Sequence, residues 1–193
     1  MIERLKDWDA ELFMLINGSH SDFFDFIMYW ASDKFIWIPL YLYFGYLIYK
    51  EYQIKGLISL AFISITIILS DQGATHLFKN VFLRLRPCHE PGLQTFIHLV
   101  NSYCGGKYGF LSAHAANSFA VAGFLYLFIG KESTYLKYIL AVWLLIIAYS
   151  RIYLAAHYPG DVLAGAIFGT AIGITVFKLY LFALSRFYKS THE

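Results

Sequence analysis

The sequence predicts an all-α protein, a polytopic bundle of six membrane-spanning helices preceded by an N-terminal amphipathic helix. Three observations lead there. Of the 193 residues, 59% are hydrophobic and only 15% are charged, against about 25% charged in a typical soluble domain. Several apolar runs have the length of about 17–25 residues that a helix needs to cross a bilayer. Finally, eight of the 15 cations, those at the two termini and in two short connections, fall on one side if there are six spans, as the positive-inside rule favours.

Taken in order, the start "MIERLKDWDAELF" mixes acidic and basic residues and lacks the continuous apolar stretch of a signal peptide. Ile2, Leu5, Trp8, Leu12 and Ile16 share roughly one helical face, the pattern of a helix lying on the membrane surface. A weak span follows around residues 21–32, interrupted by Asp22 and Asp25 and in need of residues 11–16 to cross. Residues 35–50 form a short, strongly apolar span. Residues 56–78, 112–130, 135–156 and 161–185 form four clear ones. With six spans, Arg4, Lys6, Lys50, Lys55, Lys131, Lys137, Arg186 and Lys189 all fall on one side. That side is the cytoplasmic one, and both termini lie on it.

The length suits a single domain covering residues 1–193. A net charge of +2 without a basic run speaks against a nucleic-acid partner. The long segment 84–110 and the turn 156–160 fall on the outer side. Cys88 and Cys104 both lie in that long segment, where an oxidising compartment would allow a disulfide and where two free thiols are equally compatible with the sequence.

Ionisable residues at membrane depth are expensive and usually mark a site. Three clusters of them reach the outer ends of helices. In "KNVFLRLRP", Lys79 and Arg86 are seven apart, so a helix continuing to Arg86 and stopped by Pro87 places both cations on one face. Two cations on one face suit a doubly charged oxyanion, and arginine binds two of its oxygens at once. In "GFLSAHAANS", Ser112 is a natural N-cap and His114 lies in the first turn of the helix it begins, where free backbone N–H groups favour an anion. In "AYSRIYLAAHYPGDVLAG", Arg151 ends one span, His157 follows, and "YPG" breaks the chain before Asp161 opens the next helix. A carboxylate beside a histidine accepts its Nδ1–H and leaves Nε2 free to attack or to take a proton. The three clusters together form an anion site with a nucleophile and an acid. The spacings match neither a zinc site nor a Gly-rich phosphate loop, so no metal or cofactor is expected.

These residues, in this order, resemble the type 2 phosphatidic acid phosphatase superfamily, which is related to the vanadium haloperoxidases. Its first motif, Lys, six residues, Arg-Pro, is matched by Lys79, Arg86 and Pro87; its third is matched by Ser150, Arg151, His157 and Asp161. The middle motif, Pro-Ser-Gly-His in the family, reads Leu111-Ser112-Ala113-His114 here, so Ala113 adds a methyl group near the phosphate and Leu111 removes a rigid turn. The motifs span residues 79–161. The resemblance implies a metal-independent lipid phosphatase. In it His157 is the nucleophile, Asp161 its orienting partner and His114 the general acid and base. Lys79, Arg86, Ser112, Ala113 and Arg151 hold the phosphoryl oxygens. Its substrates would be lipid phosphates or pyrophosphates, among them undecaprenyl pyrophosphate, phosphatidylglycerol phosphate, phosphatidic acid and a lipid A phosphate. The setting would be a bacterial cytoplasmic membrane with the site facing outward. A phosphotransferase using an alcohol acceptor and a non-catalytic lipid carrier are the competing functions.

Among the remaining polar residues, Asp71 and Thr75 share a face with Lys79 and suit helix packing. Arg84 and Lys107 would extend the basic rim toward a second phosphate, and His89 and His98 are expected to be solvated.

Overall fold

A computed structural model describes residues 2–102, 104–130 and 133–190. Among these the regular structure is helical: α1 (Ile2–Gly18), α2 (Asp22–Ala31), α3 (Ile38–Gly73), the single turn α4 (Asn80–Phe82), α5 (Ala113–Leu125), α6 (Thr134–Tyr153) and α7 (Pro159–Ser190). Short π-helical turns extend α3 over Ala74–Lys79 and α5 over Tyr126–Gly130. Four helical stretches are long and apolar enough to cross a membrane: Gly56–Phe82, Ala113–Gly130, Thr134–Tyr153 and Pro159–Arg186.

The other two expected spans are shorter helical pieces packed against these. Serine at the cap sets the start of α2: Ser21 is extended (φ −158°) and its hydroxyl accepts from Phe24 N, so α2 starts afresh instead of continuing α1. Its ten residues reach roughly 15 Å, half a hydrocarbon core. It packs on the end of α6, where Met28 meets Tyr153 and Leu154. α3 is bent back on itself at Gln53, whose φ of 52° and ψ of −128° leave the helical region. Beyond the bend Gly56 lies against Ile48, so close that a Cβ would be 2.8 Å from its carbonyl oxygen. Before the bend, Phe44 and Ile48 enter an apolar core with Val121, Leu136, Leu140 and Trp143 of the neighbouring helices. Of the cations that set the expected orientation, Lys131 and the side chains of Lys55 and Lys189 lie outside the described residues. Lys6 does not share a side with Lys50, Lys137 and Arg186 as expected, because α1 packs through Asp9 on Arg84 and Gly160 at the opposite end of the bundle.

α1 is amphipathic, but Ile16 of the expected lipid face packs against the protein while Leu15 is exposed, and the side chain of Ile2 lies outside the described residues. Leu5, Trp8, Leu12 and Leu15 are exposed, between 47% and 67%, and form the face that suits lipid. The opposite stripe, Asp9, Phe13 and Asn17, turns into the protein, with Phe13 and Asn17 fully buried. Asn17 Nδ2 donates to the carbonyls of His98 and Tyr153, and its Oδ1 accepts from His98 N, which pins α1 to the outer loop and to α6.

The closest helix pair is α5 with α7. Gly165, Gly169 and Gly173 repeat every fourth residue along α7 and face Ser112, Ala116 and Ala120 of α5. A Cβ on Gly169 would collide with the Ala116 carbonyl and one on Gly173 with the Ala120 carbonyl. In a bilayer, where apolar burial drives helices together only weakly, such stripes of small residues let backbones approach and gain dispersion contacts. The approach brings the N-terminal ends of both helices side by side, and Ser112 N donates to the Asp161 carbonyl at 3.0 Å.

Candidate active site

Each of the three motif clusters is delivered by a different element to the same end of the bundle. Lys79 closes the π-helical turn after α3. The helix does not continue to Arg86 as the seven-residue spacing suggested. It stops at Phe82, because Leu83 takes the left-handed conformation (φ 49°, ψ 26°). The chain then runs extended and pairs with the segment around Tyr108, with Arg86 N donating to Lys107 O at 3.1 Å and Gly109 N to Arg84 O at 2.8 Å. Those long-range bonds satisfy backbone groups that one more helical turn would have satisfied locally. Arg86, buried to 9% exposure, donates from Nε to Tyr108 O at 3.2 Å. Gly105 and Gly109 lie directly on it: a Cβ on Gly105 would collide with its guanidinium, and one on Gly109 would sit 3.1 Å from both Arg86 Cγ and Asp161 Oδ2.

The Cys88–Cys104 disulfide, with Cα atoms 5.9 Å apart, closes the loop that carries these residues. His89 Nε2 lies 2.9 Å from Gly105 O. Among the described residues, Cys88, His89 and Cys104 are also the His/Cys/Asp/Glu group close enough to share a metal ion, and the disulfide occupies both thiols. His98 is not solvated as expected: it donates from Nε2 to Asp25 Oδ2 at 2.7 Å and stacks on His20 with ring centroids 3.7 Å apart. Asp25 in turn accepts from the Tyr153 hydroxyl at 2.5 Å, which explains an aspartate in an otherwise apolar helix.

Ser112 caps α5 as expected, accepting from Ala115 N at 3.4 Å, so Ala113 and His114 occupy its first turn. Arg151 is buried to 1% exposure at the end of α6 and donates to the Ser32 hydroxyl after α2. Its carbonyl accepts from His157 N at 3.1 Å, folding the turn back so that the imidazole returns to the arginine. Pro159 starts α7 and Asp161 lies in its first turn.

His157 is 1% exposed and Asp161 is wholly buried. His157 Nδ1 lies 3.7 Å from Asp161 Oδ2, adjacent but longer than an ordinary hydrogen bond, and the Gly109 backbone borders the same nitrogen. Catalytic hydrogen bonds are often long before substrate arrives. Burial, reinforced by Arg151, Arg86 and Lys79, holds the His157 imidazole well below the usual histidine range. It is therefore neutral, the form that can act as a nucleophile.

The Asp161 carboxylate has partners that spacing alone did not reveal. Oδ2 accepts from Tyr158 N at 3.1 Å, and Oδ1 accepts from Arg84 Nη1 at 2.8 Å. Arg84 therefore does not extend the basic rim toward a second phosphate. Its other nitrogen donates to Asp9 Oδ2 at 2.7 Å, and its guanidinium covers the Tyr158 ring at 4.2 Å. Asp9 escaped the sequence reading, although the Asp9, Phe13, Asn17 stripe opposite the lipid face of α1 was a signal for it. Ser32 and Gly109 carried no such local signal.

Lys79, Arg86, Ala113, His114 and His157 all line one cavity of about 780 Å³. From them it runs past Asp71 and Asn117 to Phe44, Ile48 and Leu125. Asp71 accepts from Asn117 Nδ2 at 3.2 Å, so it lines this passage as well as joining α3 to α5. A phosphoryl group held by the cations at one end would thus place the rest of an amphiphile in a channel between helices.

The model of the PAP2 superfamily matches residues 57–185. A lipid A 4'-phosphatase of Bacteroides thetaiotaomicron is 39% identical over 171 residues, covering 88% of this chain and 75% of that protein. A lipid A 4'-phosphatase of Porphyromonas gingivalis is 31% identical over 188 residues, covering 96% and 78%. The crystal structure of Aquifex aeolicus LpxE superposes with a TM-score of 0.63 at 25% identity, over 88% of this chain and 94% of that one. The chain belongs to the PAP2 superfamily of membrane-embedded helical proteins. It is a membrane lipid phosphatase.

Proposed function

We propose that the chain removes the 4'-phosphate of a lipid A-type glycolipid, through a phosphohistidine, at the membrane face away from the cytoplasm. The observation that carries this reading is the convergence of Lys79, Arg86, His114 and His157 on one cavity that continues between the helices. The two relatives named lipid A 4'-phosphatase, each matching most of this chain, support the choice of substrate.

In the first step the neutral Nε2 of His157 attacks phosphorus. The N–P bond forms, the bond from phosphorus to the sugar oxygen breaks, and His114 gives that oxygen its proton. In the second, His114 takes a proton from water, the water oxygen attacks phosphorus and the N–P bond breaks, releasing inorganic phosphate. Lys79, Arg86 and Arg151, with Ser112 and the N–H groups around Ala113, stabilise the charge that develops on the equatorial oxygens. In a dry site this is usually the largest catalytic contribution. Asp161 holds the imidazole and stabilises its positive charge in the phosphoenzyme. The cations Lys50, Lys137 and Arg186, at the end of the bundle away from the site, support an outward-facing site and a cytoplasmic C-terminus, whereas α1, with Lys6 beside Arg84, lies at the site's own end.

The test is release of inorganic phosphate by the purified protein, in EDTA, from lipid A 4'-phosphate, undecaprenyl pyrophosphate, phosphatidylglycerol phosphate and phosphatidic acid, beside His157→Ala. The expected result is turnover in EDTA at least tenfold faster on the glycolipid than on the others, and abolished in the variant. Faster turnover of another lipid would replace the substrate assignment. Activity in His157→Ala would remove the phosphohistidine. Transfer of the phosphoryl group to an added alcohol in preference to water would make the enzyme a transferase.

A further inference from the structure

The steps above leave one charge network unused, buried at Asp161 and half-buried at Arg84 and Asp9. Asp161 Oδ1 takes a hydrogen bond from Arg84 Nη1 at 2.8 Å, and Arg84 Nη2 donates to Asp9 Oδ2 at 2.7 Å. The second oxygen of Asp9 accepts from Gly160 N at 2.6 Å. Asp9 thus reaches Asp161 by two routes, through the guanidinium and through the backbone one residue before it. We propose that Asp9 and Arg84 are positioning residues that hold Asp161 against His157, so that the amphipathic helix α1 completes the catalytic geometry. The inference rests on reading His157 as the nucleophile and Asp161 as its orienting carboxylate.

The geometry accounts for each member. Asp161 Oδ2 is the oxygen 3.7 Å from His157 Nδ1, and a carboxylate pivoting about its own side chain would lose that alignment. Arg84 fixes the opposite oxygen, and a planar guanidinium bonded on two edges resists rotation. Stacking on the Tyr158 ring at 4.2 Å sets the plane of the guanidinium. An arginine alone on Asp161 would cancel the negative charge that the imidazole needs when it carries the phosphoryl group. The second carboxylate, Asp9, offsets that cation and leaves the three-residue unit with one net negative charge. With side-chain exposures of 13% for Asp9, 29% for Arg84 and 0% for Asp161, water competes little for these bonds. On the other side of α1, Leu5, Trp8 and Leu12 face outward, so the seat of this helix in the membrane interface sets where Asp9 stands.

The experiment measures kcat and KM for Asp9→Asn, Arg84→Gln, Arg84→Lys and the double variant Asp9→Asn/Arg84→Gln. The substrate is whichever lipid phosphate the wild type turns over fastest, and variants are compared at equal amounts of monodisperse protein by size exclusion. Asp9→Asn is expected to lower kcat about 10- to 100-fold with KM changed less than about threefold. Arg84→Gln should lower kcat at least as far, and Arg84→Lys, which keeps a cation between the carboxylates, should recover part of that loss. The double variant should lose less than the product of the two single losses, since one of the two routes from Asp9 passes through Arg84. If Arg84→Gln does not fold, Asp9→Asn and Arg84→Lys carry the comparison. A kcat within twofold of wild type in Asp9→Asn overturns the proposal. So does a rise in KM alone, which would make α1 a lipid-docking helix, and so do losses that multiply in the double variant. His157→Ala and Asp161→Asn run alongside: if those two retain kcat, the catalytic assignment itself has failed, a result distinct from inert Asp9 and Arg84.

Discussion

Ser112 N donates to the carbonyl of Asp161 at 3.0 Å, joining the first turns of α5 and α7. One of these turns carries His114 and the other carries Asp161 beside His157. His114 and the carboxylate beside His157 are therefore held at a spacing set by two packed backbones, which vary far less than side-chain rotamers. The glycine stripe of α7 makes the approach possible, because Gly165 offers no Cβ within 2.6 Å of the Ser112 carbonyl.

The stripe yields a prediction in which two effects oppose. Glycine to alanine inside a helix ordinarily gains roughly 0.5–1 kcal/mol. At Gly169 the new methyl group would meet the Ala116 carbonyl, and overpacking of a tight contact costs about 1–3 kcal/mol. Gly169→Ala should therefore lower the thermal midpoint in detergent, whereas Gly45→Ala, with open space around it, should leave it unchanged or raise it. A raised midpoint for both would show that α5 and α7 have room to part.

Gly109 tests the site itself. Alanine there places a Cβ 3.1 Å from Arg86 Cγ and from Asp161 Oδ2 and 3.5 Å from His157 Nδ1. Small displacements of reacting groups are costly, about 100-fold for 1 Å. Gly109→Ala should reduce kcat/KM by about 10- to 100-fold, while Gly106→Ala, with nothing near, should retain it. Equal activities would show that the loop shifts without disturbing the arginine or the carboxylate.

The state of His157 gives a pH dependence with a definite sign. Its pKa lies well below the free value of 6.5, and in the proposed mechanism protonation removes the lone pair that attacks phosphorus. The nucleophile therefore stays active as the pH falls through 6.5 and is lost only below its lowered pKa. A profile of kcat/KM, corrected for ionisation of the substrate phosphate, should show its acid limb below pH 6.5. A limb above 6.5 would contradict the neutral, desolvated imidazole.

Reduction of the Cys88–Cys104 bridge should loosen the loop that presents Arg86. Closing a loop of about 15 residues stabilises a fold by roughly 3 kcal/mol, and Gly105, next to Cys104, packs on the Arg86 guanidinium. Cys88→Ser/Cys104→Ser is expected to lower the thermal midpoint and raise KM more than it lowers kcat. An unchanged KM would mean that the pairing of residues 84–86 with 107–109 holds Arg86 without the bridge.

Much of this was legible in the chain. Lys79, Arg86, Ser112, His114, Arg151, His157 and Asp161 stood out because ionisable groups are rare and expensive in apolar helices. Their separations along the chain are those of the turns that carry them. The Ser112 cap is local chemistry too, decided within four residues, whereas α7 begins at Pro159, two residues before the expected start at Asp161, because proline fits the first turn of a helix. The end of the helix before Arg86 was not local. Residues 80–86 could have continued as helix, and partners some twenty positions away at Lys107 and Gly109 drew them into extended pairing instead.

The sequence by itself thus determined that the chain is a membrane helix bundle of the PAP2 superfamily and which charged residues and histidines its motifs contribute. Apolar length and motif spacing are properties of neighbouring residues. Only the tertiary structure decided what each charge faces. Asp9 and Arg84 are 75 positions apart and Arg84 and Asp161 are 77 apart, and while the Asp9, Phe13, Asn17 stripe signals a carboxylate turned inward, nothing along the chain names the guanidinium it meets. The distinction comes from packing. When α1 seats Phe13 and Asn17 in the protein, Asp9 is carried inward on the same helical face, to the arginine that also holds Asp161.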